Sequence, residues 1–170
     1  MVSVLRRCAA VFGLCVALSV LGTPSPGKAD SALERGAYLA TIMDCTGCHT
    51  PGSLAGKPDM NRYLAGADIG FQIPGVGVFY PPNLTSDPQT GLGTWSTEDI
   101  IMAVRNGIRP DGRVLVPIMP YPSYAALSDE DARDLATYLK SLAPIKNKVA
   151  GPFGKDQKPT NPYLSPVMPH

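Results

Sequence analysis

Metal-binding and cross-linking side chains are scarce in this chain. Its 170 residues include 4 cysteines and 2 histidines. Two of those cysteines, Cys8 and Cys15, lie in an N-terminal stretch that reads as a leader. Arg6 and Arg7 supply its positive start, the run from Cys8 to Gly22 is apolar, and Gly27, Lys28 and Ala29 set small residues around a cleavage point before Asp30. This is the pattern of a secretory signal peptide over residues 1–29. An uncleaved anchor is the alternative, although a spanning helix wants about 20 apolar residues.

Each scarcity excludes something. Without the leader, Cys45 and Cys48 are the remaining cysteines, so no disulfide framework competes for them. A structural zinc site wants four Cys or His ligands, and beyond the leader only Cys45, Cys48, His49 and the terminal His170 are on offer. No later run is long and apolar enough to cross a bilayer. The net charge is +1, and removing Arg6, Arg7 and Lys28 leaves 12 basic against 14 acidic residues, or −2. That balance gives no basis for nucleic-acid binding.

What is present is concentrated. Cys45-Thr46-Gly47-Cys48-His49 reads C-x-x-C-H, the attachment sequence of a c-type haem. Two intervening residues let one backbone turn present both sulfurs to the two vinyl groups on one porphyrin edge. The adjacent imidazole then falls under the iron as its proximal ligand. A thioredoxin-like redox pair, a disulfide and half a zinc site are the competing readings. The redox pair usually opens a helix after a strand, whereas a helical pattern precedes this motif. The backbone carbonyl that orients His49 through its second ring nitrogen is not identifiable from the sequence; Pro51 is the guess.

Three helices are expected. Ser31 and Glu34 form an S-x-x-E capping box, and a helical pattern runs from there to about Met43, with Leu33, Gly36, Ala40 and Met43 on one face. Gly36 either admits a close helix or is merely tolerated. Ser96 begins a second helix with Glu98 and Asp99 in its first turn, Ile100, Ile101 and Val104 on its apolar side, and Gly107 at its end. Ser128 caps a third, whose buried face is Ala132, Leu135, Ala136 and Leu139 and which Pro144 ends. The first and third faces match in length and type and are expected to pack together.

Between the first two helices, residues 50–94 carry glycines at 52, 56, 66, 70, 75, 77, 91 and 93 and prolines at 51, 58, 74, 81, 82 and 88. These argue for loops. Phe71-Gln72-Ile73 and Val78-Phe79-Tyr80, on either side of Pro74-Gly75-Val76-Gly77, could form a small hairpin. A loop this long in a small domain favours a cofactor that it wraps. Residues 145–170, with Lys146, Lys148, Lys155, Lys158 and five prolines, show little periodicity and read as an extended tail. Lying along the domain is favoured over serving as a basic contact for a partner.

The sixth iron ligand decides function more than the fold does. His170 ends a tail and is nearly excluded. Met43 is too close to the motif to reach the opposite haem face. Met60 and Met102 are alternatives, and Met119 is preferred because Pro117 and Pro120 restrict its segment, expected to be extended. The competing role for any one methionine is core filler. A His/Met pair raises the potential relative to two imidazoles and suits one-electron transfer.

A family resemblance runs through several stretches of the chain. It covers Arg35-Gly36-Ala37-Tyr38-Leu39, Asp44 to Thr50, Pro82-Asn83-Leu84-Thr85-Ser86-Asp87, Trp95-Ser96-Thr97-Glu98-Asp99, Arg105 to Gly112, and Met119-Pro120-Tyr121. Across nearly all of residues 33–142 the chain resembles the class I cytochrome c domains in cytochrome subunits of membrane alcohol, gluconate and related sugar dehydrogenases. The resemblance implies a small all-α cytochrome fold over residues 30–144 with one covalent haem c on Cys45 and Cys48. It implies His49 and Met119 as axial ligands, Asn83 and Thr85 lining the haem, and Trp95 and Arg109 near the propionates. Those subunits typically carry three such units and a membrane-associating end, while this chain has one unit and neither addition. The expectation is therefore a soluble, periplasmic, single-haem electron carrier, not an enzyme, between a dehydrogenase donor and an oxidase or cytochrome acceptor. An obligate dehydrogenase subunit is the alternative, and a haem enzyme or gas binder with an open sixth position is a further one.

Overall fold

The computed structural model describes residues 27–167 and 169. Of the expected leader only residues 27–29 fall inside it; Cys8, Cys15 and His170 lie outside the described residues. Among the described residues, five α-helices form the body: α1 (Lys28–Ile42), α2 (Cys45–His49), α3 (Thr97–Asn106), α4 (Tyr121–Tyr124) and α5 (Asp129–Ser141). Two 3-10 turns, Ser53–Ala55 and Met60–Arg62, follow the haem motif.

The expected caps of α3 and α5 are present. Ser96 accepts from the Asp99 amide while the Asp99 carboxylate accepts from the Ser96 amide, and Gly107 closes the helix at φ +70°. Ser128 accepts from the Asp131 amide. α1 differs: it starts at Lys28 with Gly27 as N-cap, so the Ser31–Glu34 pattern lies inside the helix and does not begin it. Helical propensity in the residues before Ser31 carries the helix one turn further back.

α1 crosses α5 closely. A Cβ on Gly36 would stand 2.2 Å from the Asp134 carbonyl oxygen and 2.5 Å from Tyr138 Cβ. Glycine is thus required by the approach, and its cost to helix propensity is offset by packing. The core between α1, α3 and α5 contains Leu39, Ala40, Ile100, Val104, Leu135, Ala136 and Leu139, joined by Leu64 and Leu92 from the long loop. Leu64 is fully buried although its φ is +55°, a left-handed conformation that β-carbon sterics disfavour. Burial and the bond from its amide to the Thr50 hydroxyl at 3.0 Å hold it there.

The all-α expectation covers the helical core but not the whole chain. A small mixed sheet has the strand order β3-β2-β1-β4. β1 (Gly70–Ile73) and β2 (Gly77–Phe79) are the expected hairpin, shifted by one residue and paired antiparallel with Phe71 opposite Phe79. β3 (Phe153–Gly154) pairs antiparallel with β2, and β4 (Tyr163–Leu164) pairs parallel with β1. Both outer strands come from the C-terminal segment. Two-residue strands carry no alternation to detect, and their partners are some 75 to 95 residues away in sequence.

Gly36→Ala is expected to lower stability by about 1–3 kcal/mol, the usual cost of overpacking. A lower guanidinium midpoint with unchanged slope would show it; an unchanged midpoint would mean that α1 and α5 separate freely.

Candidate haem site

The motif is built by a break between two helices. α1 stops at Met43, and Asp44 takes the left-handed conformation at φ +52° as N-cap of α2. Its carboxylate accepts from the Gly47 amide at 3.1 Å. A Cβ on Gly47 would stand 2.3 Å from that carboxylate, so the cap requires glycine at this place in the motif. Cys45 and Cys48 then lie three residues apart on one helical turn, as neighbours on one face, and neither is in a disulfide.

The thiols are poor nucleophiles. Burial pushes Cys45 up to about 11, with the Asp44 carboxylate adding to the shift. Burial, then Asp44, raises Cys48 as well. A dithiol redox pair depends on a lowered thiol pKa, so the environment disfavours that reading.

His49 closes the motif and is 8% exposed. Its Nδ1 lies 2.8 Å from the Pro82 carbonyl oxygen. A carbonyl only accepts, so Nδ1 carries the proton and the lone pair sits on Nε2, the arrangement of a metal-bound imidazole. Burial lowers the His49 pKa, partly opposed by the Pro82 bond, which keeps the ring neutral as ligation requires. The Pro51 guess is corrected: the Pro51 carbonyl accepts from the Asp59 amide instead, and the partner comes from 33 residues beyond the motif.

Met119 is partly buried and packs on the same apolar cluster as Cys45, Leu84 and Trp95. Its segment is not extended as expected. The Met119 amide bonds the Val116 carbonyl at 3.2 Å in a turn, consistent with Pro117 at the position where a turn prefers proline, and Pro120 opens α4. Of the alternatives, Met60 and Met102 are 60% and 46% exposed and outside that cluster, whereas Met43 packs on it.

Trp95 and Arg109 come together: the guanidinium carbon lies 5.0 Å from the indole centroid, a cation–π contact. Arg109 also faces Asp111 at 3.3 Å, and among the described residues its side-chain hydrogen bonds run through Nε. Asn83 and Thr85 are buried at 2% and 1% exposure, but their polar atoms are occupied. Asn83 donates to Thr90 Oγ1 and to the Ile145 carbonyl, and accepts from the Thr85 amide and hydroxyl. Their visible role is to tie the loop to the C-terminal segment.

Three tyrosines escaped sequence reasoning. Tyr124 donates to the Met43 carbonyl at 2.8 Å, binding α4 to the end of α1. Burial raises its pKa to about 12, with Cys45, Cys48 and Asp44 adding. The Tyr138 hydroxyl reaches that of Tyr63 at 3.5 Å; burial and Tyr63 push its pKa up, with a smaller contribution from Cys45. They wall the motif with aromatic surface, and nothing local in the sequence distinguished them from other tyrosines.

The donor set fits a covalently held haem: paired thiols on one turn, a neutral imidazole with Nε2 left for a metal, an aromatic wall and a thioether on the same cluster. These features define a prosthetic-group protein in place of a thiol enzyme or zinc module. A family model for cytochrome c matches residues 33–143, and the chain belongs to that family, whose domain implies covalent haem c.

It is 40% identical over 141 residues to the cytochrome c subunit of an alcohol dehydrogenase (quinone) from Gluconobacter oxydans, covering 82% of this chain and 27% of that one. It is 39% identical over 117 residues to a gluconate 2-dehydrogenase cytochrome c subunit from Pantoea cypripedii, covering 68% and 24%. A fructose dehydrogenase cytochrome subunit from Gluconobacter japonicus is 37% identical over 138 residues, covering 80% and 26%. The chain thus spans about a quarter of the length of these relatives.

Gly47→Ala is expected to cost about 1–2 kcal/mol by displacing the Asp44 cap. In an Asp44→Ala background its cost should shrink, because the carboxylate it meets is gone. A double-mutant cycle of thermal unfolding checks this; strictly additive losses would contradict the clash.

Proposed function

We propose that this protein is an exported, single-haem electron carrier, and that the reading rests chiefly on one observation: His49 donates Nδ1–H to Pro82 and so leaves Nε2 for iron. Cys45 and Cys48 would hold the haem through thioethers, with His49 and Met119 as the residues that would ligate its iron. Haem c, when bound, supplies one-electron chemistry at its iron. The Pro82 carbonyl keeps His49 in one tautomer and orientation. Met119, on a turn framed by two prolines, would supply the thioether ligand and exclude other ligands. The Asp44 cap holds the turn that carries both sulfurs. Arg109 on Trp95 is the counter-charge for the propionates, with its terminal nitrogens still available to carboxylates.

The protein is an electron-transfer component and not itself an enzyme. It takes electrons from a dehydrogenase and passes them to an oxidase or another cytochrome in the periplasm. Ile108, Val114 and Ile118 are 41%, 60% and 40% exposed. Ile108 and Val114 form a β-bridge, and Ile118 adjoins Met119. They supply apolar surface next to the ligand segment, suited to small transient redox contacts. Among the described residues, no helix is long and apolar enough to cross a membrane.

A second reading has specific support. The relatives are named as subunits of dehydrogenases, so an obligate subunit that stays with its dehydrogenase fits them equally. Purification under mild conditions separates the two: a free carrier elutes alone, and a subunit elutes with a catalytic chain.

Expressed in a host that matures c-type cytochromes, the protein is expected to keep its haem through denaturation. Its ferric form should be low-spin with the weak sulfur-to-iron charge-transfer band. Met119→Ala should abolish that band and let the ferrous form bind carbon monoxide. A wild-type protein that binds carbon monoxide at once would reverse the ligand assignment and favour a haem enzyme or gas binder.

A further inference from the structure

We propose that residues 145–149, beyond the last helix, position the proximal histidine, with Asn147 as the principal positioning residue. This rests on the reading of His49 as an iron ligand.

The two backbone segments that hold His49 are both held in turn by this stretch. One is Pro82, whose carbonyl accepts the His49 ring proton. The next residue, Asn83, donates to the Ile145 carbonyl at 2.7 Å, and the Ile145 amide returns a bond to Thr85 Oγ1 at 3.2 Å. The Asn147 amide bonds Thr90 Oγ1 at 3.0 Å, and the same hydroxyl accepts from Asn83. The other segment is Ala65-Gly66. The Gly66 amide bonds the His49 carbonyl at 2.7 Å, and the adjacent Ala65 carbonyl accepts from Asn147 Nδ2 at 2.8 Å. Asn147 is therefore bonded directly to one segment and, through the Thr90 hydroxyl, to the other.

Packing closes the same joint. Gly66 has φ +99°, and a Cβ there would stand 2.3 Å from Val149 Cγ2, 3.0 Å from the Asn83 nitrogen and 3.2 Å from the Pro82 carbonyl carbon. Val149, Gly66 and Pro82 thus form one contact with no room for another atom. Burial alternates along the stretch: Ile145, Asn147 and Val149 are half-buried, and Lys146 and Lys148 are exposed. That is the period of an extended strand with one face on the domain, and every inward residue belongs to the joint.

The consequence is electronic as well as mechanical. A carbonyl on Nδ1–H raises the basicity of the ligating nitrogen, and a more basic ligand favours ferric iron. Loosening the joint lengthens the Pro82 bond and raises the reduction potential.

The test uses the full-length holoprotein and its Asn147→Ala, Thr90→Val and Thr90→Ser variants. The readouts are the hydrogen-exchange rate of the His49 Nδ1 proton, followed by NMR, and the reduction potential. Asn147→Ala is expected to keep the haem, speed exchange about five- to tenfold, as loss of one net hydrogen bond implies, and raise the potential; Thr90→Val, which also releases Asn83 and Asp87, is expected to shift both readouts further in the same direction. Thr90→Ser, which keeps the hydroxyl, is expected to match wild type. In the wild type alone, the Nδ1 proton and the Asn147 amides should open as one unit under mild denaturant, which tests the coupling even where a variant fails to fold. Lowered stability with wild-type exchange and potential, or independent opening in the wild type, would overturn the proposal and leave a simple strap. A wild-type holoprotein without a His49 Nδ1 resonance typical of an iron-bound ring would overturn the haem reading itself, and this inference with it.

Discussion

The site depends on one hydrogen bond, from His49 Nδ1 to the Pro82 carbonyl at 2.8 Å. It joins a helical motif to the middle of a long loop, selects the tautomer and leaves the lone pair on Nε2. Without it, a buried imidazole would leave a polar N–H unpaired, a cost of about 1–3 kcal/mol. The loop must therefore be held to sub-ångström tolerance against the motif, and much of the surrounding architecture serves that end.

Three layers provide the rigidity. Close packing of α1 on α5 through Gly36 fixes the position of α1. The left-handed Asp44 cap then sets the direction of α2 and the two sulfurs. On the loop side, Asn83, Thr85, Asp87 and Thr90 form a polar knot in which the Thr90 hydroxyl, helped by backbone amides, holds the Asp87 carboxyl below the usual carboxylate range. Buried polar groups of this kind specify one arrangement only when each is satisfied, and Asn83 uses all four of its side-chain hydrogen-bonding positions.

What could be read from the sequence was local. Ser96, Asp99 and Gly107 state the ends of α3 within a dozen residues, and Ser128 does the same for α5, because capping acts over one turn. The C-x-x-C-H spacing states its own chemistry. The Pro82 carbonyl was beyond reach because a backbone oxygen has no sequence signature and its partner is 33 residues away. The start of α1 was misplaced because a usable cap at Ser31 did not outweigh continued helix before it. The joining role of residues 145–149 is carried by five residues, too few for periodicity to register, although their in–out alternation was present. The Met119 turn was missed because two prolines are equally compatible with extended chain and with turn geometry.

X-ray absorption at the iron edge of the purified holoprotein reads the ligation by His49 and Met119 without an intermediate step. Six-coordinate iron is expected, with five nitrogens, four from the porphyrin and one from His49, and one sulfur from Met119. An all-nitrogen shell, an oxygen in the sixth position or five-coordinate iron would contradict it, and with it the description of this protein as a sealed one-electron carrier.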